Sequence, residues 1–197
     1  MLTGKVVEEF KVVKDIRFSS KNGASLQSNE CFIRIRYPKF EDLEDMLKYV
    51  NSLVGEEVYI NMQKKIGKKE ELEFLTDLLK NIENKEAVSL VVEVNGKVSG
   101  LANINKKRFA ESHIGNFGIA LRKEIRGKGI GKKLMELTIK EAVKNMKTEI
   151  VELEVFAENK PAINFYKKSG FKKVGIIKKG LKKSGKYSDR ILMVKYL

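Results

Sequence analysis

The stretch Arg126-Gly127-Lys128-Gly129-Ile130-Gly131 follows an apolar run, Phe117-Gly118-Ile119-Ala120-Leu121, and opens a helical run from Ile130 to Asn145. It reads as strand, glycine-rich turn and helix start. Three glycines in five residues let the backbone come close to a ligand. The amides of a helix's first turn have no partner within the helix and make a site for anions. Arg126, Lys128, Lys132 and Lys133 add positive charge. A phosphate or pyrophosphate fits such a turn, and spacing tests which kind. The P-loop needs Gly, four residues, then Gly-Lys-Ser/Thr. Aligned on Gly131-Lys132, it finds Arg126 at the first glycine and Lys133 at the hydroxyl position, so it fails. The dinucleotide fingerprint needs Gly-x-Gly-x-x-Gly or Ala. It meets Lys132 when started at Gly127 and Leu134 when started at Gly129, and fails too. The spacing that fits is Arg-x-x-Gly-x-Gly, on Arg126, Gly129 and Gly131.

Upstream, residues Lys5 to Phe18 alternate enough for one or two short strands, and Ser19 to Glu30 is polar with an Asn22-Gly23 turn signal. Residues 1–30 read as an extension and linker, and 31–197 as one domain. Phe32 to Tyr37 alternates and stops at Pro38, which marks a strand. Phe40 to Val54 carries Leu43, Met46, Leu47, Val50 and Leu53 at helical spacing, and Lys68 to Ile82 is a second helix. Gly55 to Gly67 between them is mixed, a loop or short helix. Ala87–Val94 and Val98–Ile104 form strands around an Asn95-Gly96 hairpin turn. Ile114–Leu121 is the strand entering the glycine turn. Met135, Ile139, Ala142, Val143 and Met146 form the buried stripe of the helix after it. Ile150–Phe156 is a strand, Lys160–Lys168 a short helix ended by Ser169-Gly170. Phe171–Ile177 and Ile191–Tyr196 are the last strands, joined by a lysine- and glycine-rich loop. The class is mixed α/β, with helices flanking one mostly antiparallel sheet.

A second local motif lies downstream. Asn159, Ala162, Tyr166, Gly170 and Phe171 form Asn-x-x-Ala-x-x-x-Tyr-x-x-x-Gly-Phe. This segment and the glycine turn, in this order with a strand between them, resemble the acetyl-CoA motif and its companion in the GNAT family of N-acetyltransferases. The resemblance covers about residues 32–197. It implies the GNAT fold, acetyl-CoA as cosubstrate without a metal, and transfer of the acetyl group to a primary amine by direct attack, with no covalent enzyme intermediate. It also implies roles. The backbone of Ile119, Ala120 and Leu121 pairs with the pantetheine arm. Arg126 and the amides of Gly127, Lys128, Gly129, Ile130, Gly131 and Lys132 hold the pyrophosphate. Asn159 touches the cofactor arm, although an N-cap role explains it equally. Tyr166 is the general acid to the leaving thiolate. Glu154 matches a base glutamate in the branch that acetylates protein N-termini, with Glu93 and Glu111 as fallbacks. Glu152 shares its strand parity, so both face one side. Many relatives carry a proline a few residues before the arginine; Arg122-Lys123-Glu124-Ile125 has none.

Totals set outer bounds. The chain has 197 residues, 42% hydrophobic, one cysteine (Cys31) and one histidine (His113). No intramolecular disulfide or multi-cysteine metal site can form. No apolar run reaches membrane-span length, and the start does not resemble a secretory signal, so the expectation is a cytoplasmic protein with no membrane partner. A homodimer stays open. The formal net charge is +14, with basic residues crowded between Lys167 and Arg190. That charge offers a rival reading as a basic nucleic-acid-binding module, whose affinity would fall steeply with salt. The aromatic strand signature of an RNA-binding sheet is missing. A third reading is a CoA-binding regulator without turnover. The resemblance implies that the acceptor, a protein N-terminus or a small amine, is gripped by the first two helices and their connection, Gly55–Gly67, and by the loop Lys178–Asp189.

Overall fold

The structure is a computed structural model that describes residues 2–12, 31–56, 59, 62 and 64–197. The polar segment from Ser19 to Glu30 and part of the Gly55–Gly67 connection lie outside the described residues. Eight strands form one sheet: β1 (Val6–Val12), β2 (Cys31–Arg36), β3 (Ala87–Val94), β4 (Lys97–Lys106), β5 (Ile114–Leu121), β6 (Ile150–Phe156), β7 (Lys172–Lys183) and β8 (Lys186–Tyr196). The helices are α1 (Leu43–Gly55), α2 (Lys68–Glu83), α3 (Ile130–Met146) and α4 (Lys160–Lys168). Spatial order is β1-β2-β3-β4-β5-β6-β8-β7. Every neighbouring pair is antiparallel except β5 and β6. β1 joins as the edge strand beside β2. Among the described residues no helix is long and apolar enough to cross a membrane.

The core follows from apolar periodicity. Along β3 both side-chain parities are buried, because α2 and α3 both contact this strand. Asn95 and Gly96 each take positive φ (48° and 79°), the two-residue turn that matches strand twist. On α3 the buried face is Ile130, Leu134, Met135, Thr138, Ile139, Glu141, Ala142 and Met146. Val143, assigned to that face from spacing, is 42% exposed. Tyr37 bridges sheet and helix through its hydroxyl, which donates to Glu141 at 2.8 Å and accepts from Asn145 at 3.1 Å. Arg36 is buried with Asp42, which it grips bidentately at 2.7 Å, and with Glu93 at 2.8 Å.

The last two strands differ from expectation. The lysine-rich segment Lys178–Asp189 is no loop: β7 and β8 extend through it and turn only at Ser184-Gly185, both at positive φ. Lysines in adjacent pairs, Lys178-Lys179 and Lys182-Lys183, break any two-residue hydrophobic period, so the pairing is invisible to periodicity. Register shifts between Lys173 and Gly175 and between Ile177 and Leu181 blur it further.

Glu71 occupies a place in the α2 stripe with Leu75, Leu78 and Ile82, and is only 2% exposed. Burial pushes its carboxyl from 4.5 up to about 7. The fold therefore binds this proton more tightly than the unfolded chain does. The resulting stability is complete below pH 4.5 and is lost as the pH rises through 7. Glu71→Gln removes the penalty. Denaturant unfolding at pH 8 should show a gain of about 1–3 kcal/mol, and at pH 4 almost none.

Candidate active site

The sheet opens in its middle. β5 and β6 pair only at Ile114–Ile150, Gly115–Val151 and Asn116–Glu152. Both strands run on, to Leu121 and Phe156, each held on its outer edge by β4 or β8. Between residues 117–121 and 153–156 lies a wedge-shaped gap. The bond from Arg122 N–H to Ser99 C=O, at 2.9 Å, fixes the phase of β5. In an antiparallel pair hydrogen-bonded positions alternate. Ala120 therefore turns its backbone to β4, and its carbonyl also accepts from the Tyr49 hydroxyl at 2.8 Å. Ile119 and Leu121 turn theirs to the gap. The Leu121 carbonyl accepts from Arg126 Nε at 2.8 Å, which leaves the Leu121 amide and both Ile119 groups on the open edge.

The glycine turn closes the wide end of this gap. Gly127 and Gly129 adopt φ of +71° and +80°, and Gly129 is the N-cap of α3. Lys133 N–H to Gly129 C=O is the first intrahelical bond. The amides of Ile130, Gly131 and Lys132 precede it and have no partner within the helix. A Cβ on Gly131 would meet Leu121 Cδ1 at 3.1 Å, so glycine lets α3 start against β5. Arg126, expected at the ligand, braces the turn: its Nη2 holds Glu56 at 2.7 Å while Nε holds Leu121. Lys133 is drawn to β1, pairing with Glu8 and lying over the Phe10 ring. Lys132 is 66% exposed and its ammonium lies 3.9 Å from Glu136, one helical turn along α3.

At the narrow end stands Tyr166. Its ring meets Phe117, the first residue past the last rung, edge-on at 6.4 Å, and Phe165 and Phe171 at 5.3 and 5.8 Å. Burial pushes the phenol up to about 12, so it is protonated at neutral pH. Its hydroxyl has no hydrogen-bond partner among the described residues. Asn159 caps α4: its Oδ1 accepts from Ala162 N–H at 3.2 Å. Phe117, Gly115 and Leu121 share a parity that faces α3 and α4. Through the register, Val151, Leu153 and Val155 share that face.

The other face carries Glu152, Glu154 and Phe156. Lys107 donates to Glu152 at 2.8 Å and to Glu111 at 3.2 Å. Arg190 Nη1 holds Glu154 Oε2 at 2.9 Å. Tyr59 lies over Phe156, ring centroids 5.5 Å apart. Of the fallback carboxylates, Glu93 is on β3, beyond β4 and β5 from the gap, and is held by Arg34 and Arg36. Sequence reasoning did not find Tyr49, Glu56 or Arg190. Tyr49 lies on the buried stripe of α1 with Met46 and Leu53, which is the one signal available for it.

Residues 56–171 match the acetyltransferase (GNAT) family. The chain belongs to the GNAT family. The L-amino acid N-acetyltransferase of Escherichia coli is 34% identical over 107 residues, 54% of this chain and 66% of that protein. This GNAT chain thus spans just under two thirds of that relative's length. The N-alpha-acetyltransferase of Sulfurisphaera tokodaii is 30% identical over 74% of this chain and 83% of that one. Among solved structures, the ribosomal-protein-alanine N-acetyltransferase of Brucella melitensis superposes with a TM-score of 0.72 at 27% identity. That match covers 83% of this chain and 99% of the other. The GNAT fold expected from the two motifs is therefore the fold observed.

Proposed function

We propose that this chain transfers an acetyl group from acetyl-CoA to an α-amino group by direct attack, without a covalent enzyme intermediate. The carrying observation is the open β5–β6 edge, which runs from the amides of the glycine turn to the Tyr166 hydroxyl. An extended, anionic-ended donor suits it: bare amides at one end, unpaired strand groups along it and a protonated phenol at the other. Acetyl-CoA supplies the acetyl group as a thioester. The amides from Gly127 to Lys132 bind the pyrophosphate, and Ile119 and Leu121 pair with the pantetheine arm. Ala120 contributes as a small residue beside the arm and Arg126 as the brace that shapes the turn. Asn159 caps α4 and keeps its amide nitrogen for the arm.

Glu154 takes the proton from the incoming amine, directly or through water. Tyr166 gives its proton to the departing sulfur. Stripping the α-ammonium of a peptide terminus, pKa near 8, costs about 1 kcal/mol at pH 7, against roughly 4–5 for a lysine side chain. One ion-paired carboxylate is adequate for the first task. The names of the Escherichia coli, Sulfurisphaera and Brucella relatives agree with α-amines. Family membership favours this reading over a basic nucleic-acid-binding module.

Calorimetry should give one acetyl-CoA per chain, and free-thiol release should follow on adding amino-acid or peptide acceptors. A chain that does not bind acetyl-CoA would sink the proposal. Binding without turnover across the acceptor panel would leave the regulator reading in its place.

A further inference from the structure

We propose that a cavity beside the β4–β5 connection binds a nucleotide, with the base on the Phe109 ring and the phosphate between Lys106 and Arg108. This second site goes beyond the acetyltransferase reading and does not rest on it.

The cavity has a volume of about 550 Å³, within the roughly 300–1,000 Å³ of small-ligand sites. It lies where α2 leads into β3 and β4 leads into β5. Asn81 and Glu86 wall one side, and the run from Asn105 to Phe109 walls the other. The glycine turn follows the opposite end of β5. Ile114 to Leu121 is about 23 Å of strand, so the two sites do not overlap.

Phe109 is 91% exposed and sits at φ +57°. Left-handed backbone is costly for a bulky residue, and a ring in water gains nothing from burial. The turn nevertheless holds it there: Glu111 N–H donates to Arg108 C=O at 3.2 Å and Ser112 N–H to Phe109 C=O at 3.1 Å. Among the described residues no other ring and no cation lies on it. A planar ligand supplies the missing contact, and any base can stack on such a ring.

Lys106, Lys107 and Arg108 are consecutive. Lys107 is taken by Glu152 and Glu111, at 2.8 and 3.2 Å. Lys106 and Arg108 make no side-chain hydrogen bond or ion pair among the described residues. Glu86 is the acid on the wall, so three cations face one carboxylate, in a chain of net charge +14. Such a field draws anions, and arginine matches the geometry of phosphate. The amides of Asn81 and Asn105 offer both donors and acceptors, the mixture that a base edge presents. An acidic peptide would engage the cations and leave the ring bare. A free nucleoside phosphate and an unpaired nucleotide of RNA carry the same chemistry, and the test separates them.

The full chain is saturated with acetyl-CoA, to fill the gap, and titrated by calorimetry. The probes are AMP, adenosine, inorganic phosphate, a short single-stranded RNA and an oligo-aspartate peptide. AMP or the RNA should bind at least about tenfold more tightly than phosphate, adenosine or the peptide. AMP as the tighter of the two assigns the cavity to a free nucleotide, and the RNA as the tighter assigns it to an RNA strand. Phe109→Gly should weaken nucleotide binding about tenfold and leave phosphate binding unchanged. Its thermal midpoint should not fall, because glycine accepts this φ and the ring packs on nothing. Arg108→Gln should weaken AMP and phosphate alike. Phosphate or peptide binding as tightly as the nucleotides would overturn the proposal, as would unchanged nucleotide affinity in Phe109→Gly or no nucleotide binding at all. So would nucleotide binding seen only without acetyl-CoA, which would place it in the gap. A chain that takes up no acetyl-CoA would end the acetyltransferase reading, and the two variants would still decide this one.

Discussion

Tyr166→Phe is expected to lower kcat by about 10²–10⁴-fold while acetyl-CoA still binds. The change removes one oxygen. The ring keeps its contacts with Phe117, Phe165 and Phe171, so the apex of the gap keeps its shape. Under the proposed mechanism, what is lost is a protonated donor beside the leaving sulfur. Because burial lifts the phenol to about 12, it stays protonated throughout the range in which the amine becomes deprotonated. In the wild type, kcat should rise with pH as the acceptor loses its proton, and any alkaline fall from Tyr166 should lie near pH 12. Single-turnover kinetics, which separate chemistry from product release, provide the measurement. A variant with wild-type kcat would remove Tyr166 from the reaction and move the search for the acid elsewhere along the gap.

Gly129→Glu should weaken acetyl-CoA binding by about 10²-fold or more, through two effects that add. At φ +80° any side chain strains the backbone by ~1–2 kcal/mol, which pulls the turn out of shape. The carboxylate then puts negative charge at a helix N-terminus otherwise available to an anion. Gly129→Ala brings the strain without the charge and should give an intermediate loss. Titration calorimetry of the three proteins separates the two effects. If Gly129→Glu binds as tightly as the wild type, the pyrophosphate does not sit on this turn.

Much of the scaffold was legible in the sequence where a single physical signal governs. Ala87–Val94, Ile114–Leu121, Ile150–Phe156 and Lys160–Lys168 have the predicted ends; Asn95-Gly96 stops the first and Ser169-Gly170 the last. Signals failed where a partner far along the chain decides the outcome. The β7–β8 hairpin is held by register with β6, so its lysines look like a loop when read alone. Nothing beside Arg126 in sequence announces its bond to Glu56, 70 residues earlier, which α1 brings to it. The parity of Glu152 and Glu154 was readable, whereas their cations, Lys107 and Arg190, come from other strands and connections. Ala120 looked like its two neighbours until the phase of the β4 pairing turned it the other way. Sequence locates side chains along a strand; only pairing says which edge their backbone serves.

The parallel join between β5 and β6 has a mechanical side. Five strands on one side and three on the other are continuous sheets, yet they share only three rungs. No other neighbouring pair in the sheet has so few rungs. Phe117 packs against Tyr166 and Phe171 across this join, and β4 and β8 hold the two outer edges. The thinnest seam of the sheet therefore coincides with the gap along which the β5 edge lies open.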